Sequence, residues 1–255
     1  MTAWLREAAR KPAAPILVTA MALSVVWAAS SFGGAVDAPS AEKRPPAAAG
    51  VVLAQSMERV SSESLTDWVN VADHVVAVTV IGEERVQPGI SETAPAGEGM
   101  VERKVTFQVN EVLWSSPRAF RKAPAVTTVP SGPGWIRRSD GTESKAARAG
   151  SSRLEVGNDY TLGLVWKPAQ CYEDLRIPAR WALVGSGAIL PADAGVIGVG
   201  EFEGAKPVAA SQGAVGPPIA QQFAGKGLAS LREALAKTAA TDRVEFVSAD
   251  ELCTS

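Results

Sequence analysis

Histidine and cysteine are scarce in this 255-residue chain, with one His and two Cys. Each scarcity removes a class of chemistry. Two Cys and one His fall short of a four-ligand zinc site unless carboxylates complete it, so no metal or cofactor is expected. A Ser-His-Asp or Cys-His enzyme would have to use His74. That residue follows Asp73, but neighbours on a strand point to opposite faces, so a surface or strand-end histidine is expected there. No G-x-S-x-G occurs; Gly185-Ser186-Gly187 has the wrong spacing. Gly195, Gly198, Gly200 and Gly204 do not fit G-x-G-x-x-G and read as turn and bulge glycines. A net charge of −2 supplies no field for nucleic acid.

The strongest positive signal comes first. Arg6, Arg10 and Lys11 precede residues 12–36, which carry no charged side chain and include Ile16, Leu17, Val18, Leu23, Val25, Val26, Trp27 and Phe32. A basic cap on an apolar run of this length is an export or membrane-anchoring segment. Positive charge stays on the cytoplasmic side, so the N-terminus is expected inside and the C-terminal domain outside. About 20 residues span the hydrocarbon core, so the length favours a retained, single-pass anchor in the cell membrane. Ala28-Ala29-Ser30 is a small-residue cleavage site, and cleavage there would give a secreted protein instead. No cysteine follows the run to carry a lipid. The Ala-, Arg- and Gly-rich usage looks bacterial. Cys171 and Cys253 both fall in the exported part, where an oxidising compartment favours a disulfide between them; two unrelated buried thiols are the alternative.

The chain divides by composition into a cytoplasmic tip and transmembrane or signal segment (1–36), a Pro/Ala-rich tether (37–54) and a β-rich domain (55–255). Residues 61–72 have helix signals, and 74–81 form a β-branched strand. Residues 101–114 alternate, with Val105, Phe107 and Val109 on one face, as in a half-buried antiparallel strand. A short strand is expected at 125–129, then a long loop at 131–153. Tyr160, Leu162, Leu164 and Trp166 mark another strand. Residues 171–178 read as loop, 181–190 as a Gly-interrupted strand, 195–202 as a short strand and 205–225 as loop. Leu228, Leu231 and Leu235 stripe a helix over 228–238, and 243–247 reads as a terminal strand.

The stretches ADHVVAVTVIGEE, RKVTFQVNEVLW and LEVGNDYTLGLVW resemble a pattern in uncharacterised exported bacterial proteins. That pattern is similar to OB-like barrels of the netrin/TIMP kind. The resemblance covers 72–167, well under half of the chain, and its motifs are structural. It implies a mainly β (α+β) fold: a small antiparallel OB-like barrel with flanking helices. Inhibitory TIMP-like domains depend on an N-terminal cysteine and several disulfides. This chain lacks both, so metalloprotease inhibition does not carry over.

Trp135, Arg137 and Arg138, with Lys145, Arg148 and Arg153 beyond, are the best binding candidates, because an aromatic beside cations suits anionic lipid head groups or cell-wall polymer. A soluble loop with a buried Trp is the plainer reading. Glu173-Asp174 and Glu201/Glu203 are the acidic clusters, ordinarily solvated charge. Trp68, Trp114, Trp166 and Trp181 read as core. The function expected is a membrane-tethered, non-enzymatic extracytoplasmic binding domain whose partner is an envelope protein, anionic lipid or cell-wall polymer. The alternative is an exported hydrolase using acidic residues.

Overall fold

The computed structural model describes residues 50–55, 60–86, 98–172, 175–208, 218–244 and 246. The chain splits into two units, Met1–Arg44 and Pro45–Ser255. The apolar run at 12–36, Glu173, Asp174 and Cys253 lie outside the described residues. Among the described residues no helix is long and apolar enough to cross a membrane.

In chain order come β1 (Val51–Ala54), α1 (Leu65–Val71), β2 (His74–Val86), β3 (Gly99–Ser115), β4 (Val126–Arg137), β5 (Glu143–Arg148), β6 (Asp159–Lys167), β7 (Gln170–Tyr172), β8 (Leu175–Ile177), β9 (Arg180–Leu183), β10 (Ile189–Pro191), β11 (Gly200–Phe202), β12 (Ala205–Val208), α2 (Pro218–Phe223) and α3 (Leu228–Lys237). The fold is mainly β. One large sheet runs β1-β5-β4-β3-β2-β6-β10, and β9 pairs with the same edge of β6 further along. Its pairs are antiparallel except β1 with β5, which are parallel. β9 also lies against β4, with Cα atoms within 8 Å, although no backbone ladder joins the two.

Alternation places apolar side chains on both faces of this sheet. One face gathers Val76, Val78, Val80, Val105, Phe107, Tyr160, Leu162 and Leu164. The other gathers Val75 and Leu113 with Trp68 of α1 and Leu231 and Leu235 of α3. Period two fails on β3 because Asn110 and Leu113 are extra residues opposite β2. These bulges turn Leu113 away from the Phe107 face and onto the helices. α1 begins with a capping box: Asp67 N donates to Ser64 Oγ (3.1 Å) and Ser64 N to the Asp67 carboxylate (3.0 Å).

Several expectations are corrected. Residues 131–153 are not one long loop. β4 continues to Arg137, and β5 pairs back with it, Trp135 opposite Lys145 and Arg137 opposite Glu143. Pro130, Pro133 and two glycines read as strand breakers; the ladder with β3 absorbs them by register shifts around Glu102. The stretch 171–178 contains the β7–β8 hairpin, and 205–225 contains β12 and α2. Residues 51–54, read as the end of the tether, form β1, so the sheet is mixed rather than antiparallel throughout. The stretch 181–190 is two strands, β9 and β10, separated by a 3-10 turn at Ser186–Ala188. Arg243, Val244 and Phe246 are not in a strand; Asn70 and Asp73 hold the segment instead. Val244 N donates to Asn70 O (2.9 Å) and Arg243 Nη2 to Asp73 Oδ1 (2.5 Å).

Candidate functional site

A charged network lies on the inner, Phe107 face of the sheet, and strand register explains how it got there. Arg103 shares its side of β3 with Val101, Val105 and Phe107, so alternation forces it inward. Glu83 should face away from Val80, being an odd number of residues from it. Ile81, however, is bulged out between Val80 (opposite Phe107) and Gly82 (opposite Thr106), and its side chain stands 49% exposed. The extra residue flips the parity, and Glu83 reaches the Arg103 side. Arg103 Nη1 donates to Glu83 Oε1 at 2.7 Å and Arg103 Nε to Ser131 O at 3.2 Å. β4 approaches closely here because of Gly134: a Cβ on it would sit 2.9 Å from Val101 O and 3.2 Å from Arg103 Cβ.

The second arginine comes from the segment between β5 and β6. Arg153 Nη2 donates to Glu83 (3.0 Å), Nη1 to Glu155 (2.9 Å) and Nε to Ala146 O (3.0 Å). The side chains of Arg103 and Arg153 are each only 1% exposed, so both charges are desolvated and depend on their partners. Burial opposes the charge of Glu83, but the two guanidinium groups outweigh it and hold its pKa below the ordinary glutamate value. Arg103 is pressed down by burial and by the charge of Arg153, with Glu83 opposing.

Glu201 fixes the backbone beneath this pair. It projects from the β11–β12 hairpin into the domain and accepts hydrogen bonds from Arg153 N (2.9 Å), Leu154 N (3.2 Å), Gly204 N (2.5 Å) and the Tyr160 hydroxyl (2.8 Å). Leu154, buried with a left-handed φ of 66°, is held in that strained conformation partly by its bond to Glu201. Burial raises the pKa of Glu201, while the backbone donors and Tyr160 pull it the other way. Burial, then the Glu201 carboxylate, raises the pKa of Tyr160 well above the usual phenol value. Glu201 is therefore a positioning residue for Arg153, not the solvated charge expected from sequence.

These elements converge on a cleft between β4 and β9, where the two strands run side by side without backbone bonds. Its volume is about 230 Å³. Arg103, Arg148, Arg153 and Arg180 line it together with serine residues, and among the described residues no Asp or Glu lines it. Arg180 Nε is buried and has no hydrogen-bond partner among the described residues. A buried donor without an acceptor is costly. Guanidinium groups on such a lining suit an anion whose oxygens accept from them.

Of the binding residues expected from sequence, Arg148 and Arg153 line this cleft. Trp135 meets two guanidinium groups, its ring centroid 4.0 Å from the guanidinium of Arg85 and 5.3 Å from that of Arg153. Arg137 donates twice to Glu143 (2.9 and 2.7 Å), which Arg85 also engages, and both arginines lower the Glu143 pKa. Arg138 donates to Ser144 (3.0 Å) and Lys145 pairs with Glu155 (3.1 Å). These cations are the rungs of a hairpin, not a loose basic loop. Sequence reasoning gave no role to Arg103, Glu83 and Arg180; a charge in the apolar register of an alternating strand was the available signal for Arg103.

His74 is buried rather than at the surface. Its Nε2 donates to Arg121 O (2.8 Å), and Nδ1 shares a hydrogen bond with the Ser115 hydroxyl (2.9 Å). Asp73 faces the other way and accepts from Trp166 N (2.7 Å) and Arg243. The His74 ring packs 5.6 Å from Trp181, which meets Trp166 edge-on at 5.3 Å. Cys171 lies on β7 opposite Arg176; its expected partner, Cys253, is outside the described residues. Among the described residues no His, Cys, Asp and Glu cluster could hold a metal ion. No protein-family model, no curated protein and no solved structure matches the chain.

Proposed function

We propose that this protein is a membrane-tethered binding domain working outside the cytoplasmic membrane, and that its cleft between β4 and β9 takes a small anionic ligand without transforming it. The address rests on Arg6, Arg10 and Lys11 before the uncharged run 12–36. The strand order β4-β3-β2-β6-β9, with β9 returning against β4, supports an OB-like barrel of the netrin/TIMP kind. Arg180 carries the ligand class: it lines the cleft with three further arginines and no carboxylate among the described residues, and its buried Nε has no hydrogen-bond partner among them. The cleft volume suits a compact oxyanion or carboxylate rather than a polymer chain, since sites for drug-sized ligands start at roughly 300 Å³.

An exported hydrolase needs two carboxylates facing a substrate. Glu201 is occupied by backbone and tyrosine donors, and Glu173 and Asp174 lie outside the described residues, so no observation favours that reading. The test is calorimetric titration of the full chain with inorganic phosphate and with citrate. Saturable binding of either is expected, weakened about tenfold or more by Arg180→Gln, the loss of one charge-assisted bond. Absence of binding to both anions, or equal affinity in Arg180→Gln, would overturn the assignment.

A further inference from the structure

We infer that the turn between β3 and β4 is a second contact site, a tip that seats Phe120 in the surface of an anionic lipid bilayer. Residues 117–124 read Pro-Arg-Ala-Phe-Arg-Lys-Ala-Pro, with three cations and no carboxylate. Phe120 is 78% exposed, more than any other large hydrophobic residue among the described residues. Arg118, Arg121 and Lys122 around it are exposed as well. This aromatic ring stands among like charges at the rim of an open cleft that it shares with Trp166 and Phe246. At a membrane interface the ring meets the acyl boundary while the cations meet phosphate.

The turn is braced rather than loose, which is what a presenting device needs. Ala119 N donates to Ser116 O (3.0 Å), Arg118 N to Ser116 Oγ (3.2 Å) and Ser116 N to Asp73 O (2.8 Å). Arg243 Nη1 donates to Ser116 Oγ (2.8 Å). The sole histidine, His74, holds the Arg121 carbonyl from inside (2.8 Å), and the Arg121 guanidinium lies 4.3 Å over Trp166. Fixing the tip before contact lowers the entropy lost on binding. Charge complementarity selects the occupant: the cationic ring fits an anionic leaflet, and the chain already carries an apolar run of spanning length at 12–36.

The experiment places p-benzoylphenylalanine at position 120 in the full chain, held in nanodiscs by that same run. The light-induced adduct then reports the tip and not the anchor. In phosphatidylglycerol-containing discs the adduct mass is expected to be that of lipid. Replacing phosphatidylglycerol by phosphatidylcholine should lower the yield at least fivefold. So should Arg118→Glu with Lys122→Glu, since each such cation near an anionic surface is worth roughly fivefold in partition. The melting temperature of that double variant should match the parent, because both side chains are exposed. Arg180→Gln should leave the lipid adduct unchanged, which separates this site from the cleft. No lipid adduct in anionic discs, equal yield in both lipids, or an adduct to protein alone would overturn the inference; the last of these would point to an acidic protein partner.

Discussion

Tyr160 donates its phenolic hydrogen to Glu201 across 2.8 Å, and both side chains are buried. Through that contact β6 is tied to the β11–β12 hairpin and to the backbone that carries Arg153. Tyr160→Phe removes one donor and leaves Glu201 its backbone partners, so a loss of about 1–2 kcal/mol is expected. Glu201→Ala strands the backbone N–H groups of Arg153, Leu154 and Gly204 together with the tyrosine hydroxyl. It should cost about 3 kcal/mol or more. Urea unfolding measures both. A cost for Glu201→Ala no larger than that of Tyr160→Phe would show that the hub does not organise the site.

Acid should unfold the domain through Glu83. Its folded pKa lies below 4.5, so the unfolded state binds more protons around and below that value. The stability it contributes is complete above 4.5 and is lost as the pH falls through the lowered folded value. Glu201 has the opposite sign: its raised pKa makes the folded state hold more protons above 4.5, so its contribution declines as the pH rises past that value. In a series of urea midpoints against pH, Glu83→Gln should flatten the acid limb and Glu201→Gln the limb above it. An unchanged acid slope in Glu83→Gln would remove Glu83 from the account.

Elements with a local composition or spacing signal were legible in the sequence, and the side-chain placements set by bulges were not. The β-branched run at 74–81, the alternation from Val101 to Val109 and the leucine stripe at 228–238 mark β2, β3 and α3 whatever the bulges within the strands do to the faces. Arg103 was legible in principle, as a charge in the Val101–Phe107 register. Glu83 was not: its inward position depends on one bulged residue, Ile81, that no local pattern announces. The β4–β5 hairpin was hidden by prolines that the ladder tolerates only through register shifts. The cleft itself depends on β9 returning against β4, two segments far apart in the chain, and pairwise placement of that kind leaves no trace in composition.

A bond between Cys171 and Cys253 is proposed from the export address. It would close a loop of about 80 residues, for which the loop-entropy relation gives on the order of 4–5 kcal/mol as an upper figure. The C-terminal segment is already held at Asn70 and Asp73, so the bond would add to an existing clamp. Exported protein should give no free thiol before reduction. Cys253→Ser should lower the melting temperature, with membrane attachment unchanged. Two reactive thiols in the exported, unreduced protein would rule the bond out.

Lys167 and Arg180 face each other directly across the β6–β9 ladder, like charge against like. Burial first, and then the field of Arg180, push the Lys167 pKa down to about 8. The folded value lies below the ordinary 10.5, so the folded state holds fewer protons between the two, and the contribution to stability rises with pH across that window. Arg180 also lines the cleft, which makes Lys167 a reporter of its occupancy. An anion bound against Arg180 cancels part of the repulsion, so saturating phosphate should raise the Lys167 pKa. Arg180→Gln should raise it without ligand and abolish the response to phosphate. Titration of the lysine side-chain resonances of the full chain, with Lys167→Gln for assignment, reads each shift. A Lys167 titration unmoved by saturating phosphate would place any bound anion away from Arg180, and with it away from the cleft.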